Sequence, residues 1–409
     1  METLATTLLL GLLTQKIRVP KPPSRTPIIR KIVALKPGQS LESCKAMVAE
    51  HGGKIIKSLP LINAVLCEFT EEESHVSLAS RPEVLDIHDD IKLTICIMEP
   101  AEEEVNKSIS SPFPFPFLWP VRPIRRKTPA AQPAQQVGWN IQQIQAWPYQ
   151  STGKRVKVAV IDTGIALNHP DLKDNIKGGI NVINNGASYN DDNGHGTHVA
   201  GIIGALNNEI GVVGVAPEVD LYAVKAFDSR GQGNLSDVVE GIQWCIDNDI
   251  KIVNMSFGSQ EENAVFRQAF QTAARRGLIM VAAAGNEKER NSVTYPGKYS
   301  EVLAVSALTQ QGTLADFSSW GKEVGIAAPG VNIRSTYLNG GYKELSGTSM
   351  AAPHVTGAVA RLMAKYGNIR TSQIVPHLKR TAVWMRGLSK EQQGAGMVNV
   401  ARALQRPPM

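Results

Sequence analysis

Three short stretches of this chain carry residues that could cooperate in acyl transfer. Residues 158–164 read V-A-V-I-D-T-G, residues 193–201 read N-G-H-G-T-H-V-A-G, and residues 346–357 read S-G-T-S-M-A-A-P-H-V-T-G. In chain order they offer a carboxylate at Asp162, an imidazole at His195 and a hydroxyl at Ser349. A serine hydroxyl is a poor nucleophile until a base takes its proton, and that base needs an anion to orient it. Two histidines compete for the base. His195, between Gly194 and Gly196, has the open approach that proton transfer needs, whereas His198 lies one helical turn on and reads as a packed histidine. The same i, i+3 pair could hold a metal, but no H-E-x-x-H pattern and no nearby Cys or Glu completes such a site. His169 and His354 read as structural. Taken singly, each stretch is ordinary: Asp before Thr-Gly is a common strand-to-turn residue, and a Ser/Thr-rich helix start is usually a cap.

Groups so far apart in sequence need a rigid frame. From residue 135 onward strand-like runs at 156–161, 221–226, 250–255, 278–283 and 302–307 alternate with helical stretches at 195–206, 235–248 and 264–277. That alternation predicts an α/β domain on a mostly parallel sheet, whose sites gather at the carboxyl ends of strands. Asp162, Ser256 and Asn286 each fall just past such an end. Ser349 begins a helix, where the positive dipole end and neighbouring glycines favour an exposed hydroxyl.

A smaller unit precedes this domain. Strands are expected at 28–35, 54–59, 64–69 and 84–88, with helices at 40–51, started by Ser40, and at 70–80, started by a Thr70–Glu73 capping box. The order β-α-β-β-α-β is the ferredoxin-like α+β arrangement, which by itself names no function. The chain then divides into residues 1–27, a leader or unstructured terminus; 28–97, the small domain; 98–133, a Pro-rich basic linker open to cleavage; and 134–409, the large domain. Residues 4–13 are apolar but too short to span a bilayer, and lack a preceding basic residue and an A-x-A site; an unusual leader and a frayed end both fit.

Hydrophobic residues make up 43% of the 409, enough for a sizeable soluble core, and the net charge of +6 is concentrated in Pro-interrupted segments that read as tethers rather than nucleic-acid arms. Of four cysteines only Cys245 lies in the large domain, so that domain holds no internal disulfide.

Taken together, in this order and without gaps, the three stretches resemble those of subtilisin-like serine proteases (subtilases), over about 260 residues from Gln135. The resemblance implies a subtilisin-like three-layer α/β domain, with Asp162 orienting, His195 as general base then acid, and Ser349 as nucleophile. It gives Asn286, in A-A-A-G-N-E with Ala283 and Gly285, the oxyanion site together with the Ser349 N–H. It makes Gly231-Gln232-Gly233 and Ser256-Phe257-Gly258 the segments that flank an extended substrate as added strands, and it places Thr294 on the floor of the pocket beside the scissile bond. A threonine there narrows the pocket, so medium apolar side chains are expected. It further implies a structural calcium ion held by Gln135, Asp171, Leu206, Asn208, Ile210 and Val212, which bland reading would make an Asn-Asn turn. The small domain becomes a propeptide that assists folding and then occupies the active site as an inhibitor, in a zymogen that processes itself. The expected protein is therefore a secreted or, alternatively, cytoplasmic monomeric endopeptidase acting on proteins or peptides, without nucleic acid or stable membrane insertion. A metal-dependent hydrolase using His195 and His198, and a binding protein that lost its chemistry, are the competing readings.

Overall fold

The computed structural model describes residues 28–41, 44–98, 132–367 and 369–408. The expected leader and most of the Pro-rich linker lie outside them. The N-terminal unit contains β1 (Ile29–Leu35), α1 (Cys44–Glu50), β2 (Gly53–Leu59), β3 (Ala64–Phe69), α2 (Glu72–Ala79) and β4 (Val84–Asp89). Its strands form one antiparallel sheet in the order β2-β3-β1-β4, the ferredoxin-like arrangement. Successive side chains on a strand face opposite ways, and β1 uses both faces. Val33 and Leu35 pack with Val48 and Leu78 under the unit's own helices, whereas Ile32 and Ala34 join the core of the large domain.

The start of α2 differs from the expected capping box. The N-cap is Glu71, with no side-chain cap bond, because Phe69 is still held in the ladder opposite Gly53 and Ile29. Thr70 and Glu71 are needed to turn the chain.

Only Asp90 and Ile91 separate β4 from β5 (Lys92–Ile95), which leaves the unit altogether. The large domain then supplies β6 (Lys157–Asp162), β7 (Ile176–Asn181), α3 (His195–Gly204), β8 (Asp220–Lys225), β9 (Gln232–Asn234) and α4 (Leu235–Asp247). It continues with β10 (Ile252–Met255), β11 (Phe257–Gly258), α5 (Ala264–Arg275), β12 (Ile279–Ala283), β13 (Val302–Leu308), β14 (Val324–Pro329) and α6 (Thr348–Tyr366). Unbroken apolar runs such as V-A-V-I have no face to give to water, so they must be covered on both sides. They are: the seven-stranded sheet β14-β13-β12-β10-β6-β8-β7 is parallel throughout. Val158 and Val160 pack with Val199 of α3 and Val355 of α6, and Ala159 and Ile161 pack with Val238 of α4 and Phe266 of α5. Among the described residues no helix is long and apolar enough to cross a membrane.

Candidate active site

The carboxyl end of β6 delivers Asp162 and the first residue of α3 delivers His195. Their side chains are fully buried, and His195 Nδ1 lies 2.7 Å from Asp162 Oδ1. The Thr163 N–H donates to the same oxygen at 2.7 Å, fixing the carboxylate from its own turn. Asp191 secures the other side of the pair: it accepts from the Thr163 hydroxyl and from the N–H groups of Asn193, Gly194 and Thr197, holding the start of α3 against β6. This Asp191 clamp was not anticipated from the sequence, although its position just before N-G-H-G is the signal that could have found it. The glycines around His195 do not provide the open approach expected of them. A Cβ on Gly194, where φ is +106°, would meet the Tyr337 ring at 2.4 Å, and one on Gly196 would meet the Gly164 carbonyl at 2.1 Å. They permit close packing, and His195 is 1% exposed.

The remaining histidines are packed. His198 Nε2 faces the carbonyls of Ile333 and Lys343, and burial first of all pulls its pKa down to about 3. His354 lies between Asn140 and the Met350 carbonyl with its pKa lowered by burial to about 4, and buried His169 contacts the Gly341 carbonyl. No group of three or more His, Cys, Asp or Glu side chains suited to a metal occurs among the described residues.

Ser349 is the second residue of α6. Its hydroxyl donates to the Ser256 carbonyl at 2.7 Å, and the Ser256 hydroxyl in turn donates to the Ser349 carbonyl at 3.0 Å. Neither His195 Nε2 nor the Asn286 Nδ2 amide has a protein partner among the described residues, although both are buried. The orientation of Asn286 follows from its other end: Oδ1 accepts from the Thr348 N–H at 3.0 Å and hydroxyl at 2.8 Å. Pinned there, the amide must turn its N–H groups away from Thr348, toward Gly347, which borders the Cys96 carbonyl.

The expected exposure of Ser349 is reversed, since the side chain is fully buried. What covers it is the strand that left the N-terminal unit. β5 lies between β9 and β11 in a three-stranded antiparallel sheet, pairing Leu93 with Gly233, Thr94 with Gln232 and Gly258, and Ile95 with Phe257. The two segments expected to flank a substrate therefore flank this chain's own residues 92–95. At the end of β5 the Ile95 N–H donates to the Gly231 carbonyl, and beyond it the N–H of Cys96 donates to the Ser256 carbonyl at 3.0 Å and that of Met98 to the Ser346 carbonyl at 2.9 Å. The Cys96 carbonyl accepts from the Ser349 N–H at 3.4 Å. The peptide bond between Cys96 and Ile97 is thus held across the start of α6. Leu93 is fully buried among Phe227, Leu235 and Phe257. Ala283 ends β12, and the Gly285 N–H donates to the Thr348 hydroxyl at 3.1 Å, linking this wall to the start of α6.

A second cluster lies away from this centre. Asp171 is buried and accepts from the Asn208 amide, the Val212 N–H and the Tyr342 hydroxyl, while the Gln135 amide donates to the Leu206 carbonyl. Burial raises the Asp171 carboxyl to about 6. No donor among the described residues reaches the carbonyls of Ile210 and Val212. Asn208 Oδ1 already faces the Gln135 amide, and a half-turn of that amide alone would add the Gln135 oxygen, giving a hard, oxygen-only set with one negative charge, a composition that fits calcium.

Comparison with known proteins agrees with this geometry. The description of the subtilase family matches residues 153–399. A thermostable alkaline protease from Halalkalibacterium halodurans is 47% identical over 275 residues, covering 66% of this chain and 74% of that protein. Subtilisin Savinase from Lederbergia lenta is 45% identical over 273 residues, covering 66% of this chain and 99% of its own. The minor extracellular protease Epr of Bacillus subtilis is 44% identical over 264 residues, covering 64% of this chain and 40% of that protein.

Proposed function

The chain belongs to the subtilase family and is a subtilisin-like serine endopeptidase, and on that premise we propose that it is made as a zymogen that cuts its own backbone between Cys96 and Ile97. The observation that carries this reading is the Cys96 carbonyl at the Ser349 N–H, with the chain clamped on both sides of the bond. Catalysis begins when the Ser349 hydroxyl turns from the Ser256 carbonyl toward His195 Nε2, gives up its proton there and attacks the Cys96 carbonyl carbon. Asp162, hydrogen-bonded to Nδ1, fixes the imidazole and stabilises the imidazolium that forms. Charge developing on the Cys96 oxygen meets the Ser349 N–H and the free N–H of Asn286, two donors set in place before the reaction. Collapse of the tetrahedral intermediate breaks the Cys96–Ile97 bond, and His195 returns the proton to the departing Ile97 amine. Water then hydrolyses the Cys96 ester by the same path. Other extended peptides bind between β9 and β11 as β5 does, and are cut in the same way.

After cleavage the N-terminal unit acts as an inhibitor, since β5 still fills the cleft and the interface outlasts the broken bond. Lys57 pairs with Asp237 and Glu240, and Arg30 with Asp90, whose oxygens also accept from the Ser236 N–H and hydroxyl. Calcium held by Gln135, Asp171, Leu206, Asn208, Ile210 and Val212 would stabilise the fold and take no part in the chemistry. Action outside the cell is supported by a relative named as extracellular. The test is intact-mass and N-terminal analysis of the full chain beside Ser349→Ala. A large fragment beginning at Ile97, absent in the variant, is expected; equal masses, or a fragment that also appears in the variant, would overturn self-processing.

A further inference from the structure

The side chain at Cys96 occupies the pocket that faces the residue before the scissile bond, and the walls of that pocket are unusual. One wall is Gly258 and the other Gly285, and Thr294 fills the gap between them. A Cβ on Gly258 would lie 2.3 Å from Thr294 Oγ1 and 3.4 Å from Cys96 Sγ, and one on Gly285 would lie 2.8 Å from Thr294 Cγ2. Thr294 cannot move aside, because it is 4% exposed and its backbone is tied by bonds to Ala284 and Lys298. Its hydroxyl has only a 3.4 Å contact with the Ala284 carbonyl and faces the Cys96 sulfur. The space that remains beside Cys96, a cavity of ≈ 390 Å³, is lined by Gly258, Gln260, Glu287 and Thr294.

From these contacts we infer that Thr294 makes this enzyme selective for a short side chain bearing a thiol or hydroxyl (cysteine, serine or threonine) immediately before the bond it cuts. This sharpens the medium apolar side chain expected from the sequence, and it rests on the register in which Cys96–Ile97 is the scissile bond. Two effects combine. The threonine methyl and Cβ remove the depth that a leucine or phenylalanine would need. The hydroxyl supplies a partner for a polar atom at the distance of a γ-sulfur or γ-oxygen, and leaves that partner unused when the side chain is apolar. The thiol stays protonated in this role, since burial, then the Glu287 and Asp162 carboxylates, push it up to about 12. A long basic side chain offers the one rival, by bending along the cavity to Glu287.

The full chain provides the assay. Cys96→Phe is expected to slow self-cleavage at least about tenfold, and Cys96→Phe with Thr294→Gly to recover most of that loss, because even one methylene too many in a hydrophobic pocket costs roughly 10–200-fold. The processed enzyme is then given peptides Leu-Thr-Ile-X-Ile-Met, with X as Cys, Ser, Ala, Leu, Phe or Lys. Cys and Ser should exceed Leu and Phe at least about tenfold in kcat/KM, the discrimination a filled pocket gives. Thr294→Val should still exclude Phe but lose the preference for Cys and Ser over Ala. Phe or Lys as the best residue, or an unchanged Cys-to-Ala ratio in Thr294→Val, would overturn the inference. Fluorophosphonate labelling of Ser349 and the mature N-terminus separate the failures. A labelled enzyme beginning at Ile97 without the preference refutes the specificity alone, whereas another N-terminus refutes the register on which it rests.

Discussion

If the chain cuts itself between Cys96 and Ile97 as proposed, Lys57→Met probes how tightly the N-terminal unit is retained afterwards. The Lys57 ammonium lies 2.5 Å from Asp237 Oδ1, 2.6 Å from Glu240 Oε2 and 2.5 Å from the Val182 carbonyl. The three side chains are 11%, 4% and 22% exposed, so the cluster is largely withdrawn from water. Methionine keeps most of the apolar stem and removes only the charge. Removing one partner of a buried pair costs about 3–5 kcal/mol, chiefly because the other charge is left uncompensated. Here the lower end applies. Asp237 keeps the Asn234 amide and sits in the first turn of α4, where the helix dipole favours an anion. A loss of about 3 kcal/mol corresponds to roughly 150-fold weaker retention, and most of it should appear as faster dissociation. The self-processed protein is diluted into a peptide substrate, and the onset of hydrolysis gives the release rate. Adding Asp237→Asn and Glu240→Gln to Lys57→Met should recover most of the loss, because the stranded carboxylates are then gone. A Lys57→Met release rate within about threefold of the parent would refute the argument that a buried, uncompensated charge governs retention.

Two further outcomes follow from the site geometry. Gly196→Ala would put a Cβ 2.1 Å from the Gly164 carbonyl and 3.1 Å from Asp162 Oδ1, so the Asp162–His195 pair must shift; kcat should fall about 10²-fold, the cost of a misplacement near 1 Å, with KM little changed. Calcium should raise Tm at pH 7, and the gain should shrink below pH about 6 as Asp171 takes up its proton. The sign differs without the ion. Because the folded pKa is raised, the folded state binds more protons between the ordinary carboxyl range and about 6, so metal-free stability falls as pH rises through that window. Asp171→Asn should remove most of the calcium gain; an unchanged gain would remove Asp171 from the ligand set.

What the sequence made legible was local. V-A-V-I-D and N-G-H-G-T-H carry strand end, turn and helix start within a few residues, so their functional groups and their elements could be read together. β7 was not foreseen, because Gly178 and Gly179 depress strand propensity; the space shows why they are there, a Cβ on Gly179 falling 2.2 Å from the Ala223 carbonyl. β14, V-G-I-A-A-P, carries a weak strand signal for similar reasons, with a glycine and two alanines among its six residues and a proline at its end. Most consequential was β5. Four residues, K-L-T-I, alternate but are too few to name a strand by themselves, and their partners lie some 140 to 165 positions away at β9 and β11. The burial of Ser349 and the emphasis on Cys96 depend on that distant pairing, which no local pattern encodes.

The sheet β11-β5-β9 lacks a permanent middle. Two short edges face each other across a gap that only an extended backbone can fill, and here the chain supplies its own. A folded protein offers no such segment until part of it opens. The cutting rate on a folded target should therefore scale with the fraction of time that the target spends locally open, dropping about tenfold for each 1.4 kcal/mol of opening free energy. The enzyme thus reads the mechanical looseness of its targets as well as their side chains, and its own tightly packed seven-stranded core is among the surfaces it would leave uncut.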